Sequence, residues 1–458
     1  MTLIKSISGI RGTIGGESGI NLTPQDIVRF ASAYGAWLRS KRKDGRPTVV
    51  MGRDARISGP MVSDLVVATL LSQGIDIIQL GLAATPTVEM AVMEAKADGG
   101  VIISASHNPA EWNGLKLLNN SGEFLSAREG EEVMKIAANE QFKYSNVHSL
   151  GNITVNNKAN QDHIEKILKL DLVDQKSVAR SNMTIVIDGI NSVGGVVVPE
   201  LLERLGAGRI IKLNCRPDGL FSHNPEPLPE HLEGLASIVV KEKADVGFAV
   251  DPDGDRLVIV NEDGSMFGEE YTLVAVADYV LKCQPGSTVS NLSSTRALKD
   301  LALKYGVDCF AAAVGEVNVV EKMKEVNAVI GGEGNGGVIY PELHWGRDAL
   351  IGIALFLSHL ATDGRKCSEI RKDYADYYIV KHKITLEKET GFESVINRIR
   401  EQVREGEINE EDGVRIDWPD GWIHVRKSNT EPVVRIISES ISKEKAYEQL
   451  KKIKDHIY

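Results

Sequence analysis

Three segments of the chain repeat one layout, and this repetition constrains the fold more than any other feature of the sequence. Each has a short apolar run, a loop containing Asp or Asn, an apolar-periodic stretch, a glycine and a second apolar run. The glycines are Gly74, Gly206 and Gly306. A glycine there is typical of the left-handed residue that ends a helix, and short apolar runs are typical of buried strands. The layout predicts three α/β domains with mostly parallel or mixed sheets.

The chain changes in composition after about residue 370. The alternating run DYYIVKHKITL predicts a half-exposed strand, and apolar residues spaced three and four apart from Phe392 to Val403 predict a helix. Two strands around a polar loop and a Lys-rich final helix follow in the sequence. We therefore expect a smaller C-terminal α+β domain.

These patterns give four expected domains. We place them at residues 1–152, 153–256, 257–370 and 371–458, with linkers near residues 150–160, 255–262 and 368–374.

Composition excludes several classes of protein. A chain of 458 residues can bury several hydrophobic cores, and its formal charge of −11 disfavours binding to nucleic acid or an anionic membrane. The four cysteines are far apart and form no CxxC pair, which argues against a zinc site or a disulfide framework. No apolar run approaches the ~18 residues of a membrane span. We expect a cytoplasmic protein without nucleic-acid or membrane partners; the sequence leaves its oligomeric state open.

Two motif matches in the sequence are misleading. GEGNGG satisfies the GxGxxG pattern of dinucleotide-binding folds, but the following VIYPELHWG is not helical. DPDGDRLVIVNE mimics a calcium-binding EF-hand loop, but Arg256 stands where that loop needs glycine and both flanks are strand-like.

The second of these segments still concentrates negative charge. Asp251, Asp253 and Asp255 lie within five residues on a bend between two strands. Such a cluster is costly unless a cation neutralises it, and all-oxygen ligands favour magnesium or calcium. The alternative is a solvated acidic turn.

The segment SASHNP follows the apolar strand GGVII, so Ser106 is expected at the carboxyl end of a strand, where α/β sheets bind ligands. His107 and Asn108 supply hydrogen-bond donors for an oxyanion or a phosphate, and Lys116 adds a cation ten residues after Ser106. The alternative is a loop serine that only makes a turn or caps a helix.

Two further loops carry polar groups suited to a sugar phosphate. In RKSNTEPVVR, two arginines flank short polar side chains that can form an anion nest; these residues are Arg426, Ser428, Asn429, Thr430 and Arg435. In GGEGNGG, Glu333 and Asn335 suit sugar hydroxyls. A cross-strand surface pair and an ordinary glycine-rich turn are the respective alternatives.

Taken together, GIRGT, SASHNP, DPDGDR, GGEGNGG and RKSNTEP, in this order and spacing, resemble the α-D-phosphohexomutase superfamily. This superfamily includes phosphoglucomutase, phosphomannomutase and phosphoglucosamine mutase, and the resemblance covers the whole chain. It implies three similar mixed-sheet α/β domains and a smaller phosphate-binding α+β domain around a central cleft. The threefold repeat described above agrees with that architecture.

The resemblance also implies roles for these residues. Ser106 would carry the phosphoryl group, and together with the three aspartates it would hold Mg²⁺. Arg256 would lie beside that group, while Arg11, His107 and Lys116 would support proton transfer and charge neutralisation. The RKSNTEP loop would grip the phosphate that is not reacting, and Glu333 would contact sugar hydroxyls. Two residues depart from the common pattern: many members carry Ser at the position of Asn335 and His at that of Gly337.

The reaction implied is the interconversion of hexose 6-phosphate and hexose 1-phosphate. The phosphoserine would donate its group to the free hydroxyl, and the resulting hexose 1,6-bisphosphate would turn end over end and return its other phosphate. SASHNP favours glucosamine phosphate as the substrate, whereas RKSNTEP leans towards mannose or glucose phosphate. A magnesium-dependent sugar phosphohydrolase and a sugar-phosphate binding protein are more distant alternatives.

Overall fold

The computed structural model describes residues 2–6, 9–42, 44–385, 392–402, 406–427 and 433–457. Four sheets organise these residues into four domains: three mixed-sheet α/β units and a C-terminal unit built on an antiparallel sheet.

The first domain contains a seven-stranded mixed sheet. Its strands are β1 (Ile4–Ser6), β2 (Gly9–Thr13), β3 (Thr48–Arg53), β4 (Asp76–Leu82), β5 (Gly99–Ile103), β6 (Trp112–Leu118) and β7 (Ile153–Val155), in the order β1-β2-β6-β5-β3-β4-β7. Its helices are α1 (Pro24–Lys41), α2 (Gly59–Ser72), α3 (Thr85–Ala95) and α4 (Ala127–Ala138). Because β3, β4 and β5 are parallel, the loops after β3 and β5 meet at one edge of the sheet.

The second domain has a four-stranded sheet in the order β11-β10-β8-β9. Its helices and strands are α5 (Ala159–Leu168), α6 (Gln175–Ser181), β8 (Thr184–Asp188), α7 (Gly194–Leu205), β9 (Arg209–Leu213), α8 (Glu233–Glu242), β10 (Val246–Val250) and β11 (Leu257–Asn261). The acidic segment is the turn between the antiparallel strands β10 and β11, so no helices flank it as they would in an EF-hand.

The third domain also has a four-stranded sheet, in the order β13-β12-β14-β15. Its elements are α9 (Glu269–Cys283), β12 (Thr288–Asn291), α10 (Ala297–Tyr305), β13 (Cys309–Ala312), α11 (Glu316–Glu325), β14 (Ile330–Glu333), β15 (Gly337–Ile339), α12 (Ala349–Asp363) and α13 (Cys367–Arg371). GEGNGG forms the hairpin between β14 and β15, as expected for a segment that is not a dinucleotide-binding motif.

The fourth domain is an antiparallel sheet in the order β16-β20-β19-β18-β17, together with two helices. Its elements are β16 (Tyr378–Ile384), α14 (Phe392–Gln402), β17 (Glu407–Asn409), β18 (Val414–Trp418), β19 (Gly421–Lys427), β20 (Val434–Ser440) and α15 (Lys443–Ile457). The buried residues Val395, Ile396 and Ile399 of α14 pack into the core of this domain, which confirms the predicted apolar face; Val403 lies outside the described residues.

The threefold repeat is confirmed in the backbone. Gly74, Gly206 and Gly306, which follow α2, α7 and α10, have φ of +74°, +86° and +67°. Each glycine thus takes the left-handed conformation, which is unfavourable for residues that have a side chain. There the chain turns back towards the next strand.

One helix joins the cores of the second and third domains. Residues Ala349 to Leu360 of α12 are all buried, and its apolar residues belong to a cluster that includes α5, α7, β10 and α9. A helix that is apolar all round is stable only inside a protein. The residues just before α12 are therefore held firmly between domains.

Two of the expected boundaries fall within sheets. The boundary between residues 256 and 257 splits the β10–β11 hairpin, so residues 257–261 form a strand and not part of a linker. Residues 153–155 pair with β4 of the first domain. We propose that the first domain ends after β7 and the second after β11, because each sheet then stays intact.

Candidate active site

Ser106 lies in the loop after β5 in a left-handed conformation, with φ of +48°. This conformation is uncommon for residues other than glycine and is found where surrounding contacts impose it. The Ser106 hydroxyl donates to Asp251 Oδ2 at 2.8 Å, and His107 Nδ1 lies 3.4 Å from the same hydroxyl. The loop thus brings the serine of the first domain against the acidic turn of the second.

A buried arginine that the sequence did not reveal shapes this loop. Arg56 donates to the carbonyl oxygens of Ser106 and Asn108, both at 2.6 Å, and to those of Pro109 in the same loop and Trp112 at the start of β6. Its Nε donates to Asp54 Oδ2 at 3.0 Å, and Ser104 donates to the same oxygen at 2.7 Å. The parallel pairing of β3 with β5 was the missing signal, because it puts the residues after both strands at one sheet edge.

The three aspartates are fully buried and converge. One carboxylate oxygen from each of Asp251, Asp253 and Asp255 lies within 4.8 Å of the others. Asp251 Oδ1 accepts from the backbone N–H groups of Asp255 and Arg256, both at 3.1 Å. The turn therefore aims its own carboxylates at one point.

The charges around the three aspartates are compensated unequally. Lys116, on β6, lies 2.5 Å from Asp253 Oδ2 and 3.3 Å from Asp255 Oδ2. Burial raises the pKa of Asp251 well above its ordinary value, and the carboxylates of Asp255 and Asp253 raise it further. Burial also opposes the ionisation of Asp255, but Arg347 and Lys116 outweigh it and hold the pKa of Asp255 well below its usual range. Asp251 is therefore the least compensated of the three.

The remaining cations predicted for this region surround the serine loop. Arg11, on β2, donates to Asn108 Oδ1 at 3.2 Å. Arg256 Nε lies 3.9 Å from Asp255 Oδ1.

The positive charge of Arg256, together with burial, lowers the pKa of His107 well below its usual value. Burial opposes the charge of Lys116, but Asp253 and Asp255 raise its pKa. His107 is therefore neutral and Lys116 charged at neutral pH.

The glycine-rich hairpin of the third domain presents one buried carboxylate. Glu333 accepts from Asn291 Nδ2 at 2.8 Å and from Arg347 Nη1 at 2.6 Å. Burial opposes the ionisation of Glu333, yet Arg347 and Arg256 lower its pKa. Asn335 Nδ2 lies 3.4 Å from Glu333 Oε2. Sequence reasoning missed Arg347, which comes from the segment before α12.

The predicted phosphate-binding loop is described only at its two ends. Arg426, on β19, and Arg435, on β20, are directly opposed cross-strand partners, so both side chains lie on one face of the sheet. Burial lowers the pKa of Arg426, and the charge of Arg435 lowers it further. The carboxylates of Asp412 and Glu333 act in the opposite direction. Ser428, Asn429 and Thr430 lie outside the described residues.

The acidic turn fits a divalent metal ion. Asp253 Oδ1 and Asp255 Oδ1 are buried and have no hydrogen-bond partner among the described residues. A buried carboxylate oxygen without a hydrogen bond is costly, and carboxylate oxygens are the preferred ligands of hard divalent cations. The three aspartates could therefore bind a metal.

All four domains match those of a known protein family. Residues 3–144, 161–264 and 268–378 match alpha/beta/alpha domains I, II and III of phosphoglucomutase/phosphomannomutase, and residues 382–456 match the C-terminal domain. The chain belongs to the phosphoglucomutase/phosphomannomutase family.

Two curated relatives and one solved structure illustrate what the chain is similar to. A phosphoglucomutase/phosphomannomutase of Thermococcus kodakarensis is 35% identical over 96% of this chain and 95% of its own. A probable phosphoglucosamine mutase of Methanopyrus kandleri is 34% identical over 96% of this chain and 94% of its own. A solved family structure from Burkholderia thailandensis superposes with a TM-score of 0.84 at 25% identity, over 99% of this chain and 96% of its own.

Among the residues that the structure describes, no helix is both long and apolar enough to cross a membrane.

Proposed function

We propose that this chain is a phosphohexomutase, an isomerase that interconverts hexose 6-phosphate and hexose 1-phosphate, with glucosamine phosphate as its preferred substrate. The observation that carries the proposal is the 2.8 Å hydrogen bond between the Ser106 hydroxyl and Asp251 of a buried three-aspartate cluster. It joins a candidate phosphoryl carrier to a candidate metal site. Membership of the family supports the same activity.

Ser106 carries the phosphoryl group in this proposal. In the forward half-reaction, the bond between phosphorus and Ser106 Oγ breaks while a bond to the sugar hydroxyl oxygen forms; the sugar hydroxyl gives up its proton and Ser106 Oγ takes one up, so that the serine returns to its hydroxyl form. Lys116, Arg11 and His107 would support this proton transfer and balance negative charge on the phosphoryl oxygens; Lys116 is charged, and His107 Nδ1 lies 3.4 Å from the Ser106 hydroxyl. The second half-reaction reverses these steps at the other end of the sugar.

Asp251, Asp253 and Asp255, with the phosphoserine, would hold Mg²⁺. The metal ion would supply positive charge to the phosphoryl oxygens during transfer. Arg256 lies beside Asp255 and adds a further cation to the same region. The chain's own residues thus provide the positioning and the charge that dominate phosphoryl transfer.

The C-terminal domain holds the other end of the substrate. Arg426 and Arg435, together with Ser428, Asn429 and Thr430, would bind the phosphate that is not reacting. The hexose 1,6-bisphosphate intermediate turns end over end, so one fixed site must accept the phosphate from either end. Glu333 and Asn335 would bind the sugar between the two phosphates; the ionised Glu333 can accept hydrogen bonds from hydroxyls or from an amino group.

The choice of glucosamine rests on the SASHNP segment and on the relatives. Relatives named probable phosphoglucosamine mutase align over nearly the whole chain at 33 to 34% identity. Glucose and mannose phosphates are the second candidates, because a relative at 35% identity is named for them. A cytoplasmic location is part of the proposal, in line with the four free thiols.

Coupled assays test the proposal directly. Glucosamine, glucose and mannose 6-phosphates are supplied separately with Mg²⁺, and formation of the 1-phosphate and release of inorganic phosphate are measured together. We expect 1-phosphate to form without phosphate release, fastest with glucosamine. Stoichiometric phosphate release would instead identify a phosphohydrolase, and a higher kcat/KM for mannose or glucose would overturn the choice of sugar.

A further inference from the structure

Arg347 connects two loops of the proposed active site. It comes directly before α12, where the Asp348 side chain accepts from the N–H of Leu350 at 2.7 Å and caps the helix. Its guanidinium lies 2.8 Å from Asp255 of the acidic turn and 2.6 Å from Glu333 of the glycine-rich hairpin. The Arg347 side chain is only 9% exposed, so these contacts are made largely out of water.

A third carboxylate completes this arrangement. Arg347 Nε lies 3.0 Å from Glu316 Oε2, and the Arg347 N–H donates to Glu316 Oε1 at 2.9 Å. The planar guanidinium presents five N–H donors in a fixed geometry, whereas the ammonium of lysine is a single point of charge. The Arg347 guanidinium thus donates hydrogen bonds to Glu333 and Asp255 and forms an ion pair with Glu316, an arrangement that lysine could not reproduce in full.

Gly337 leaves room for the Arg347 side chain because it has no side chain of its own. Glu333 and Gly337 are directly paired across the hairpin, so a side chain at 337 would share a face with Glu333. A Cβ atom at Gly337 would lie 2.3 Å from Arg347 Cδ, which is closer than real Cβ contacts occur. The stem of Arg347 therefore fills the space that a larger residue at 337 would need.

We propose that Arg347 is a positioning residue that fixes the sugar-binding carboxylate of Glu333 relative to Asp255 of the acidic turn, at the expense of metal affinity. The kinetic part of this inference rests on the proposed mutase function, and the metal-binding part does not. Arg347 lowers the metal affinity because its positive guanidinium, next to Asp255 Oδ2, repels a divalent ion that binds the same carboxylate. Lys116 remains within 3.3 Å of Asp255 when Arg347 is replaced, so the carboxylate keeps one cation.

The test compares Arg347→Met, which keeps length but removes charge, with Arg347→Lys. Arg365→Met is the matched control, because Arg365 also pairs with two carboxylates, Asp363 and Asp373, but is 44% exposed. Mg²⁺ binding to the full-length, dephosphorylated protein is measured by calorimetry. We expect Arg347→Met to bind Mg²⁺ about tenfold more tightly than the parent, with Arg347→Lys between them and the control unchanged.

Kinetics give the second readout. With hexose 6-phosphate at saturating Mg²⁺, we expect KM to rise about tenfold in Arg347→Met, and by less in Arg347→Lys, because Glu333 is no longer held. Tighter Mg²⁺ binding with a raised KM supports the proposal. Unchanged or weaker Mg²⁺ binding overturns it, as does an unchanged KM. If the parent protein has no mutase activity, the proposed function fails, and the Mg²⁺ titration alone decides for or against Arg347.

Gly337→Ala keeps the inference falsifiable if Arg347→Met does not fold. The added methyl displaces the Arg347 stem without removing a charge, so we expect a raised KM in a folded protein. A Gly337→Ala protein with parental KM and parental Mg²⁺ affinity would overturn the proposal.

Discussion

At the scale of single residues, the three aspartates of the acidic turn are not equivalent. Sequence reasoning expects any Asp→Asn change to relieve repulsion in the metal-free protein. In the structure, Asp253 pairs with Lys116 and Asp255 pairs with both Lys116 and Arg347. Only Asp251 has no cation within ion-pair distance among the described residues, so repulsion is relieved only there.

Asp251→Asn and Asp255→Asn should therefore change stability in opposite directions. In EDTA, we expect Asp251→Asn to keep or raise the melting temperature. Asp255→Asn should lower the free energy of unfolding by about 3 to 5 kcal/mol, the usual cost of breaking a buried ion pair. Both variants should bind Mg²⁺ more weakly. Thermal melts with EDTA and with Mg²⁺ test this prediction. Equal losses of stability in EDTA for the two variants would refute the claim that the charges of Asp251 and Asp255 are compensated unequally.

Arg426 should serve both substrate orientations. Removing a charged hydrogen bond to phosphate costs about 1.5 to 3 kcal/mol, or about 10- to 150-fold in affinity. We expect Arg426→Ala to raise KM for both the 1-phosphate and the 6-phosphate, because in the proposed mechanism each uses this site when its other end faces Ser106. Lys445→Ala, which removes an exposed ion pair with Asp420 of the same domain, is the control. Normal KM values with a lowered melting temperature would make Arg426 a structural residue only.

At the scale of elements, the serine loop depends on a side chain from a neighbouring strand end. Arg56 is 1% exposed; it donates to three loop carbonyl oxygens and to that of Trp112, the first residue of β6, and it pairs with Asp54. Its loss would leave several buried polar groups without partners. The unusual backbone of Ser106 is therefore a consequence of Arg56 as well as of the loop's own sequence.

Arg56→Lys should impair both stability and activity. We expect the free energy of unfolding to fall by about 3 to 5 kcal/mol, because lysine cannot replace the branched guanidinium at four carbonyls and one carboxylate. The fraction of Ser106 that is phosphorylated and the kcat should fall with it. Urea denaturation and intact-mass analysis measure these effects. Arg53→Lys, a change at a partly buried residue at the end of β3, is the control. Parental behaviour of Arg56→Lys would disprove the role assigned to Arg56.

The sequence predicted the elements better than the contacts between them. The helix-ending glycines and the apolar strands predicted the three α/β units, because both are local patterns. The residues Arg56, Glu316 and Arg347 escaped notice because most of their partners are distant in the sequence, for example 50 residues between Arg56 and Ser106 and 92 between Arg347 and Asp255. Both strands beside the acidic turn were predicted, but the expected boundary after residue 256 divided them, because the sequence does not show that they pair with each other.

At the scale of the whole molecule, a buried polar cluster joins the first three domains. His163 Nε2 lies 2.9 Å from Asp348 Oδ2, and His163 Nδ1 lies 2.9 Å from the hydroxyl of Thr87. His344 Nε2 is 3.4 Å from the same Asp348 oxygen, and His344 Nδ1 is 3.3 Å from Glu89 Oε2. The cluster thus links α3, α5 and the start of α12.

This cluster should make stability depend on pH. Burial opposes the charge of His344, but Asp348 and Glu89 raise its pKa to about 9. Because the folded value exceeds the ordinary value of 6.5, the stabilising contribution is complete below pH 6.5 and is lost as the pH rises through 9. Burial raises the pKa of Glu89 to about 8, against the hydrogen bond from His344, so its contribution is also lost as the pH rises.

We therefore expect the free energy of unfolding to fall by about 3 kcal/mol or less between pH 7 and pH 9.5. The measurement is a series of urea denaturations, with His344→Gln as the comparison. The variant should be less stable than the parent at pH 7 and should show a flatter profile. A parent profile that is flat, or as steep as that of the variant, would rule out His344 as the source.

The transfer of a labelled phosphoryl group tests the central claim most directly. The protein is incubated with Mg²⁺ and hexose 1,6-bisphosphate carrying radioactive phosphorus, and the label is then mapped by peptide analysis and chased with unlabelled hexose 6-phosphate. The account predicts label on Ser106, a mass increase of about 80 Da on its peptide, and return of the label to the sugar during the chase. Ser106→Ala should take up no label. Label on another residue, or its release as inorganic phosphate during the chase, would contradict the account.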